Sequence, residues 1–304
     1  MRDNNFTGLV ECQSDPMNPP VIDQIRPAMR RPRWRCWIAA LALAGNAAVA
    51  QDEVPFITTP DNVTLAMLEL AAVGPGDHVI DLGSGDGRIV ITAARRFGAS
   101  GLGVEIVGDL VRQSRANARS AGVADRTRFV EQDLFATDLR PASVVTMYLL
   151  PGVNLQLRPR LLELAPGTRI VSHDWDMGDW SPDRTQRLEV PDKSIGLEKA
   201  SRIHLWTVPA QVQGLWCAPE GSLQVTQRFQ TFSARLNRSD SDTPLMVFDG
   251  RIDGTTLRSH GIQSAVLHAG TDRLQVVSID AQGHGFAGRV FVRGTGGGCG
   301  VGGD

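Results

Sequence analysis

The sequence predicts a doubly wound, mostly parallel α/β sheet followed by a small all-β domain. Three observations carry that reading. Short β-branched apolar runs alternate with helical patterns between Pro60 and Pro209. A glycine-rich junction, DLGSGDG, joins the first strand-like run to the helical pattern that follows it. Beyond Pro209, apolar residues recur at every second position between turns of Gly, Asp and Asn. Alternating strands and helices, with the strands apolar on both faces, produce a parallel sheet covered by helices, whereas period-two runs produce antiparallel sheets with one wet face.

The elements follow in order. TPDNVTLAMLELAAVG (59–74) reads as a helix, with Thr59 as N-cap, Pro60 in the first turn and Gly74 past the end. HVIDL (78–82) is a buried strand, and RIVITAARRFG (88–98) is a helix stopped by Gly98. GLGVEI (101–106) is the second strand, and DLVRQSRANARSAG (109–122) an amphipathic helix ending in Gly122. RTRFVEQDL (126–134) and SVVTMYLL (143–150) are further strands. VNLQLRPRLLELAPG (153–167) is helical apart from Pro159, and TRIVSHD (168–174) is the fifth strand. After Pro209, five period-two segments and the Asp253-Gly254 turn signal predict about seven strands, forming a sandwich or barrel. The domains are expected at 51–209 and 210–304. No internal repeat is evident.

A chain of 304 residues, 42% of them apolar, can bury cores for both. Ahead of them lies RRPRWRCWIAALALAGNAAVAQD, in which four arginines precede an apolar run that ends in Ala48, Val49 and Ala50. That order is a secretory signal peptide, with residues 1–50 as the leader, cleavage after Ala50 and Met29 as an alternative start. Gly45 and Asn46 interrupt the apolar run, and residues 37–50 fall short of the roughly 20 that a spanning helix needs. No spanning helix is therefore expected in the mature chain. The expected location is the periplasm, or the cytoplasm if the leader does not function.

Removing the leader leaves 25 basic and 29 acidic residues. A mildly acidic chain argues against a surface built for nucleic acid. Lys193 and Lys199 are its only lysines, and Cys217 and Cys299 the cysteines left after cleavage. In an oxidising compartment that even pair either bridges or remains as two buried thiols, and geometry decides.

In an open parallel sheet, ligands bind beyond the carboxyl ends of the strands, and DLGSGDG stands there. A dinucleotide loop would read G-x-G-x-x-G, and its third glycine would fall on Arg88. Here Asp81 precedes Gly83, Ser84, Gly85 and Gly87 in the order D-x-G-x-G-x-G. This spacing resembles the first motif of the class I S-adenosylmethionine-dependent methyltransferases, which have a Rossmann-like sheet, and the resemblance covers roughly residues 55–208. It implies S-adenosylmethionine as cofactor. It also implies an acid that ends the second strand and grips the ribose hydroxyls, met by Glu105 with Ile106 beside it. A polar residue after the third strand, beside the adenine, is met by Asp133 with Leu134.

Methyl transfer from a sulfonium is an in-line displacement in which positioning provides most of the catalysis. The Asn/Asp-Pro-Pro-aromatic motif that holds an amine in part of this family is replaced by MYLLP (147–151), so adenine or glutamine-amide methylation loses support. Tyr148 remains as a residue lining the methyl site. SHDWDMGDW (172–180) crowds His173, Asp174, Asp176 and Asp179 with Trp175 and Trp180. Asp174 is the candidate to orient or deprotonate the nucleophile, and the tryptophans either wall a channel or pack in the core. A magnesium site is the weaker reading, because the fourth strand offers no complementing ligand.

FITTPDNV, DLGSGDGRIVI and YLLPGVNLQLRPRLLELAPGTRIVSHDW further resemble bacterial methyltransferases similar to the small lysine methyltransferases of mitochondrial membrane proteins. The resemblance implies methylation of a protein side chain, lysine foremost, with the cell envelope as one place where such a substrate would be met. It also implies that residues 56–60 fold over the cofactor, with Thr59 near its methionine carboxylate. The competing expectation is an exported, non-catalytic binding protein on the same scaffold.

Overall fold

A computed structural model describes residues 57–193, 198–241, 243–295 and 299. The leader read in residues 1–50 lies outside them. The first helix, α1, spans Asp61–Leu70, and the central sheet then builds as β1 (His78–Leu82), α2 (Arg88–Phe97), β2 (Ser100–Glu105), α3 (Gly108–Ser120) and β3 (Thr127–Glu131). It continues with β4 (Val144–Met147), α4 (Pro151–Leu162), β5 (Arg169–His173), β6 (Arg184–Glu189) and β7 (Ala200–Thr207). The strand order is β3-β2-β1-β4-β5-β7-β6. Adjacent strands from β3 to β5 are parallel, and β7 runs against both its neighbours, β5 and β6.

Alternation along β1 shows how the sheet is covered. Val79 enters one core with Val63 and Met67 of α1, whereas Ile80 enters the opposite core with Leu157 and Leu161 of α4. Helices thus seal both faces. Strand order reverses between β1 and β4, so the crevice at their carboxyl ends is the topological switch point where ligands bind.

Two expectations require correction. Thr59 does not cap α1: Pro60 holds the N-cap position, no side chain caps the helix, and the Thr59 hydroxyl is engaged elsewhere. Pro159 lies inside α4, which begins at Pro151. Tertiary packing of Leu157 and Leu161, both fully buried, outweighs the hydrogen bond that the proline removes.

The second sheet is a closed antiparallel barrel of eight strands, one more than expected. They are β8 (Gly214–Ala218), β9 (Gly221–Arg228), β10 (Thr231–Arg238), β11 (Pro244–Asp253), β12 (Thr256–Ser259), β13 (Ala265–Ala269), β14 (Arg273–Ile279) and β15 (Val290–Arg293). On β11, Met246, Phe248, Gly250 and Ile252 point inward, and the residues between them face water. Side chains fill the interior, among them Trp216, Phe232, Leu274 and Phe291. β15 closes against β8, where Cys217 forms a disulfide with Cys299 at a Cα separation of 5.4 Å.

The barrel is pinned to the central sheet. Its β9–β10 turn presents Phe229, which stacks on Trp180 with ring centroids 6.0 Å apart, and Trp180 packs in turn on Trp206. Around this contact Gln230 donates to the Ser181 carbonyl (2.6 Å), and Arg251 pairs with Asp183 (2.6 Å). Among the described residues, no helix is long and apolar enough to cross a membrane.

Candidate active site at the carboxyl ends of the strands

The glycine loop owes its path to three left-handed residues, Gly83, Gly85 and Gly87, with φ between 53° and 82°. A side chain at Gly87 would collide with Phe129 at 2.7 Å, so the tight turn and the close packing of α2 both require glycine there. Gly83 and Ser84 donate their N–H groups to the Val104 carbonyl, both at 2.9 Å, which ties the loop to β2. The Ser84 hydroxyl is buried beneath the loop, where a Cβ on Gly103 would meet it at 2.7 Å, so Ser84 offers a ligand only its backbone.

Two acids frame this loop. Asp81 is 2% exposed and accepts a 2.7 Å hydrogen bond from the Thr146 hydroxyl. Burial pushes its carboxyl up to about 7; the Thr146 hydrogen bond opposes that shift, and the charges of Glu105 and Asp86 reinforce it. Glu105 takes the Gly85 N–H on one oxygen (2.9 Å) and the N–H groups of Ile106 and Val107 on the other (2.8 and 3.0 Å).

Beyond Glu105 the surface turns apolar: Ile106 is 65% exposed, and Phe135 and Leu150 also stand open to water. Asp133 caps the 3-10 turn Leu134–Ala136 by accepting the Phe135 N–H at 2.8 Å, which aligns that turn with the end of β3. A glycine cradle, a carboxylate at the end of β2 and an exposed apolar shelf suit a nucleoside carrying a charged amino-acid tail. The residues present therefore fit S-adenosylmethionine.

The second half of the site forms where β4 and β5 end. Tyr148 packs on His173 with ring centroids 3.9 Å apart and the rings tilted by 32°, and its hydroxyl lies 3.5 Å from Asp174 Oδ2. Asp174 adopts the left-handed backbone, φ 62°, a strain of roughly 1–3 kcal/mol that surrounding bonds must hold. Arg202 holds it: the Asp174 N–H donates to the Arg202 carbonyl (2.7 Å), and the Arg202 N–H donates back to Asp174 Oδ1 (2.9 Å).

Lys193 donates to Asp174 Oδ2 at 2.7 Å and to the Ala200 carbonyl at 2.7 Å. Burial alone would raise the Asp174 carboxyl, but the hydrogen bonds from Lys193 and the Arg202 backbone prevail and hold it below the ordinary carboxylate range. Burial pushes Tyr148 up to about 12, aided by the Asp174 charge, so its phenol stays neutral. Burial likewise lowers His173 to about 4, leaving a neutral ring between the Thr59 and Ser201 hydroxyls at 3.4 and 2.8 Å. A cavity of about 210 Å³ opens among these groups, lined by Ile57, Thr58 and Pro60 together with Tyr148, His173 and Lys193.

Thr59 belongs to the site, though by a different hold than its expected role as a helix cap. Its hydroxyl faces His173, and its carbonyl accepts from Arg88 (2.9 Å), which also grips Asp86 of the loop (2.6 Å). The crowded 172–180 segment separates by function. Asp176 accepts the Gly178 N–H, Asp179 pairs with Arg158 and with Arg228 of the barrel, and Trp180 is core rather than channel wall. Trp175 alone of the two tryptophans is exposed.

Sequence reasoning missed Lys193, Thr146 and Arg202. The rarity of lysine in this chain was the signal for the first; the other two depend on contacts across strands. Among the described residues, no group of three or more His, Cys, Asp or Glu side chains is placed to hold a metal ion.

Comparison with known proteins accords with this geometry. The ANTKMT methyltransferase domain matches residues 81–184. A protein-lysine N-methyltransferase of Saccharolobus islandicus is 45% identical over 138 residues, 45% of this chain and 86% of its own length. The mouse adenine nucleotide translocase lysine N-methyltransferase is 33% identical over 131 residues, 43% of this chain and 57% of its own length. A solved RNA methyltransferase of Salinibacter ruber, in complex with S-adenosyl-L-homocysteine, is 51% identical over 51% of this chain and 96% of its own, with a TM-score of 0.47. The chain spans little more than half of the mouse relative but most of the archaeal one. It belongs to the class I S-adenosylmethionine-dependent methyltransferases related to the protein-lysine N-methyltransferases, with S-adenosylmethionine as its cofactor.

Proposed function

We propose that the protein transfers a methyl group to a lysine side chain of another protein, with residues 51–209 performing the transfer and the barrel, 210–304, contributing to recognition of that protein. The observation that carries this reading is the Asp174 carboxylate, kept ionised beside the neutral phenol of Tyr148, which lines the cavity. Relatives named as lysine methyltransferases support it.

When bound, the cofactor supplies an electrophilic methyl on sulfur. The chain's own residues do the rest. Asp174 accepts a hydrogen bond from the acceptor nitrogen, which orients its lone pair and offsets the positive charge that remains on the product. Tyr148 and His173 form an aromatic wall against which a lysine stem can lie. Thr58 and Pro60, flanking a Thr59 that Arg88 fixes to the glycine loop, border the cavity and limit the entry of water.

The test is incubation of the purified protein with methyl-labelled S-adenosylmethionine and a cell-envelope extract, followed by amino-acid analysis. Methyl-lysine that vanishes in Glu105→Ala is expected. Cofactor binding without transfer to any protein would instead favour the binding scaffold.

We also propose export to the periplasm. The disulfide between Cys217 and Cys299 supports it, because such bonds persist in oxidising compartments. A fusion of residues 29–55 to a reporter active only outside the cytosol is expected to score positive, and cytosolic retention would remove the proposal.

A further inference from the structure

In the resting chain the amine subsite already holds an amine. The Lys193 side chain is 14% exposed, lines the 210 Å³ cavity beside Tyr148 and His173, and places Nζ 2.7 Å from both Asp174 Oδ2 and the Ala200 carbonyl. A carboxylate and a carbonyl oxygen are the partners that an incoming lysine ammonium would need. A lysine serving only as a surface counter-ion would have no reason to line the pocket, and exposed pairs of that kind contribute little. Asp174 reaches Lys193 only through a left-handed backbone that a non-glycine residue rarely adopts. Outside the pocket, Lys199 donates to the Lys193 backbone carbonyl at 2.7 Å and does not touch its side chain.

We propose that Lys193 is an internal methyl acceptor: it occupies the subsite of the substrate lysine and is methylated by its own chain. This rests on the lysine-directed reading of the site. The chemistry balances without any further reactant. The Lys193 ammonium first loses one proton to solvent water, since Asp174 is too weak a base to retain it. The neutral Nζ lone pair then attacks the methyl carbon, the carbon–sulfur bond breaks with its electrons passing to sulfur, and S-adenosylhomocysteine leaves. Nζ becomes a monomethylammonium that keeps its positive charge opposite Asp174. Loss of an N–H donor and a larger head weaken its hold on Asp174 and Ala200, so self-methylation would favour opening of the subsite to other acceptors.

The experiment incubates the full chain with methyl-labelled S-adenosylmethionine and no added acceptor, followed by digestion with a glutamate-specific protease and mass spectrometry. A methyl group on the peptide bearing Lys193 is expected, at a rate per enzyme that does not change as the protein is diluted. Lys193→Arg should lower self-labelling by about tenfold or more, and Lys199→Arg should leave it in place. Label on an added lysine-bearing protein with Lys193 unmodified overturns the internal acceptor and leaves the proposed function standing. Labelling of Lys193 at a per-enzyme rate that rises with protein concentration overturns internal transfer as well. A chain that binds the cofactor in a calorimeter yet labels neither Lys193 nor any added protein overturns both.

Discussion

Glu105 Oε2 accepts the Gly85 N–H at 2.9 Å, so the acid that ends β2 is bonded to the middle of the glycine loop that follows β1. One side chain thereby fixes the loop and faces the expected ribose site. Its other oxygen takes the N–H groups of Ile106 and Val107, and three donors converge on one buried carboxylate. Glu105→Ala leaves all three without that partner, at a cost of about 1–3 kcal/mol for each group that water cannot reach. Expected outcomes are a lower unfolding midpoint in urea and cofactor affinity weakened by about tenfold or more in calorimetry. Unchanged affinity would remove Glu105 from the binding site.

Asp81 sets a pH dependence of opposite sign for stability and for binding. Its folded pKa, raised to about 7, exceeds the ordinary carboxylate value near 3.9, so the folded state holds the proton more tightly than the unfolded one. The stability it contributes is fully present below about pH 4 and is lost as pH rises through about 7, with an upper bound near 4 kcal/mol. A cationic cofactor favours the ionised acid, so affinity should rise over that same upper range and binding should release a proton. Calorimetry in two buffers of different ionisation enthalpy measures that proton, and Asp81→Asn should abolish it. A wild-type protein that releases no proton near neutrality would sink this assignment.

The Trp180 and Trp206 pair separates packing from hydrogen bonding. Both are fully buried, yet Trp206 Nε1 donates to the Trp180 carbonyl at 2.8 Å, whereas Trp180 Nε1 has no partner. Trp180→Phe relieves an unsatisfied donor while leaving a modest void, and should cost less than Trp206→Phe, which also strands a buried carbonyl. Trp180→Ala opens the contact with Phe229 and should cost about 3–5 kcal/mol. Because that contact joins barrel and sheet, scanning calorimetry should show both melting earlier; a shift confined to one transition would mean that they unfold independently.

The sequence made the parallel sheet legible because β1, β2 and β5 are apolar on both faces, and the cofactor loop legible because left-handed turns demand glycine at fixed spacing. The strands β6 and β7 were not read. Every residue of β6 but Leu188 is exposed, and β7 interleaves Ser201, Arg202 and His204 with its apolar residues, so neither presents a clean period. Asp174 was visible as one of three acids in a crowded segment, but its separation from Asp176 and Asp179 follows from one left-handed residue and a pairing with Arg202, 28 positions away. Lys193 comes to Asp174 across 19 positions, and no local pattern announces such a contact.

Asp174 and Tyr148 should differ in how much the transfer step depends on them. Asparagine tolerates the left-handed backbone nearly as well as aspartate, so Asp174→Asn removes the charge with little added strain. Alanine would confound the two effects. The charge is what an amine nucleophile and its cationic product require, and its loss should lower kcat by about a hundredfold or more while cofactor affinity stays near the wild-type value. The Tyr148 hydroxyl lies 3.5 Å from Asp174, a long contact that contributes little as a hydrogen bond, whereas its ring packs closely on His173. Tyr148→Phe keeps the ring and should cost less than about tenfold in kcat; Tyr148→Ala removes the wall and should raise KM for the protein acceptor as well. Single-turnover kinetics on a defined lysine acceptor separate these outcomes. If Asp174→Asn transferred methyl groups at the wild-type rate, the carboxylate would be a structural anchor for Lys193 alone, and the nucleophile would be oriented by other groups of the cavity.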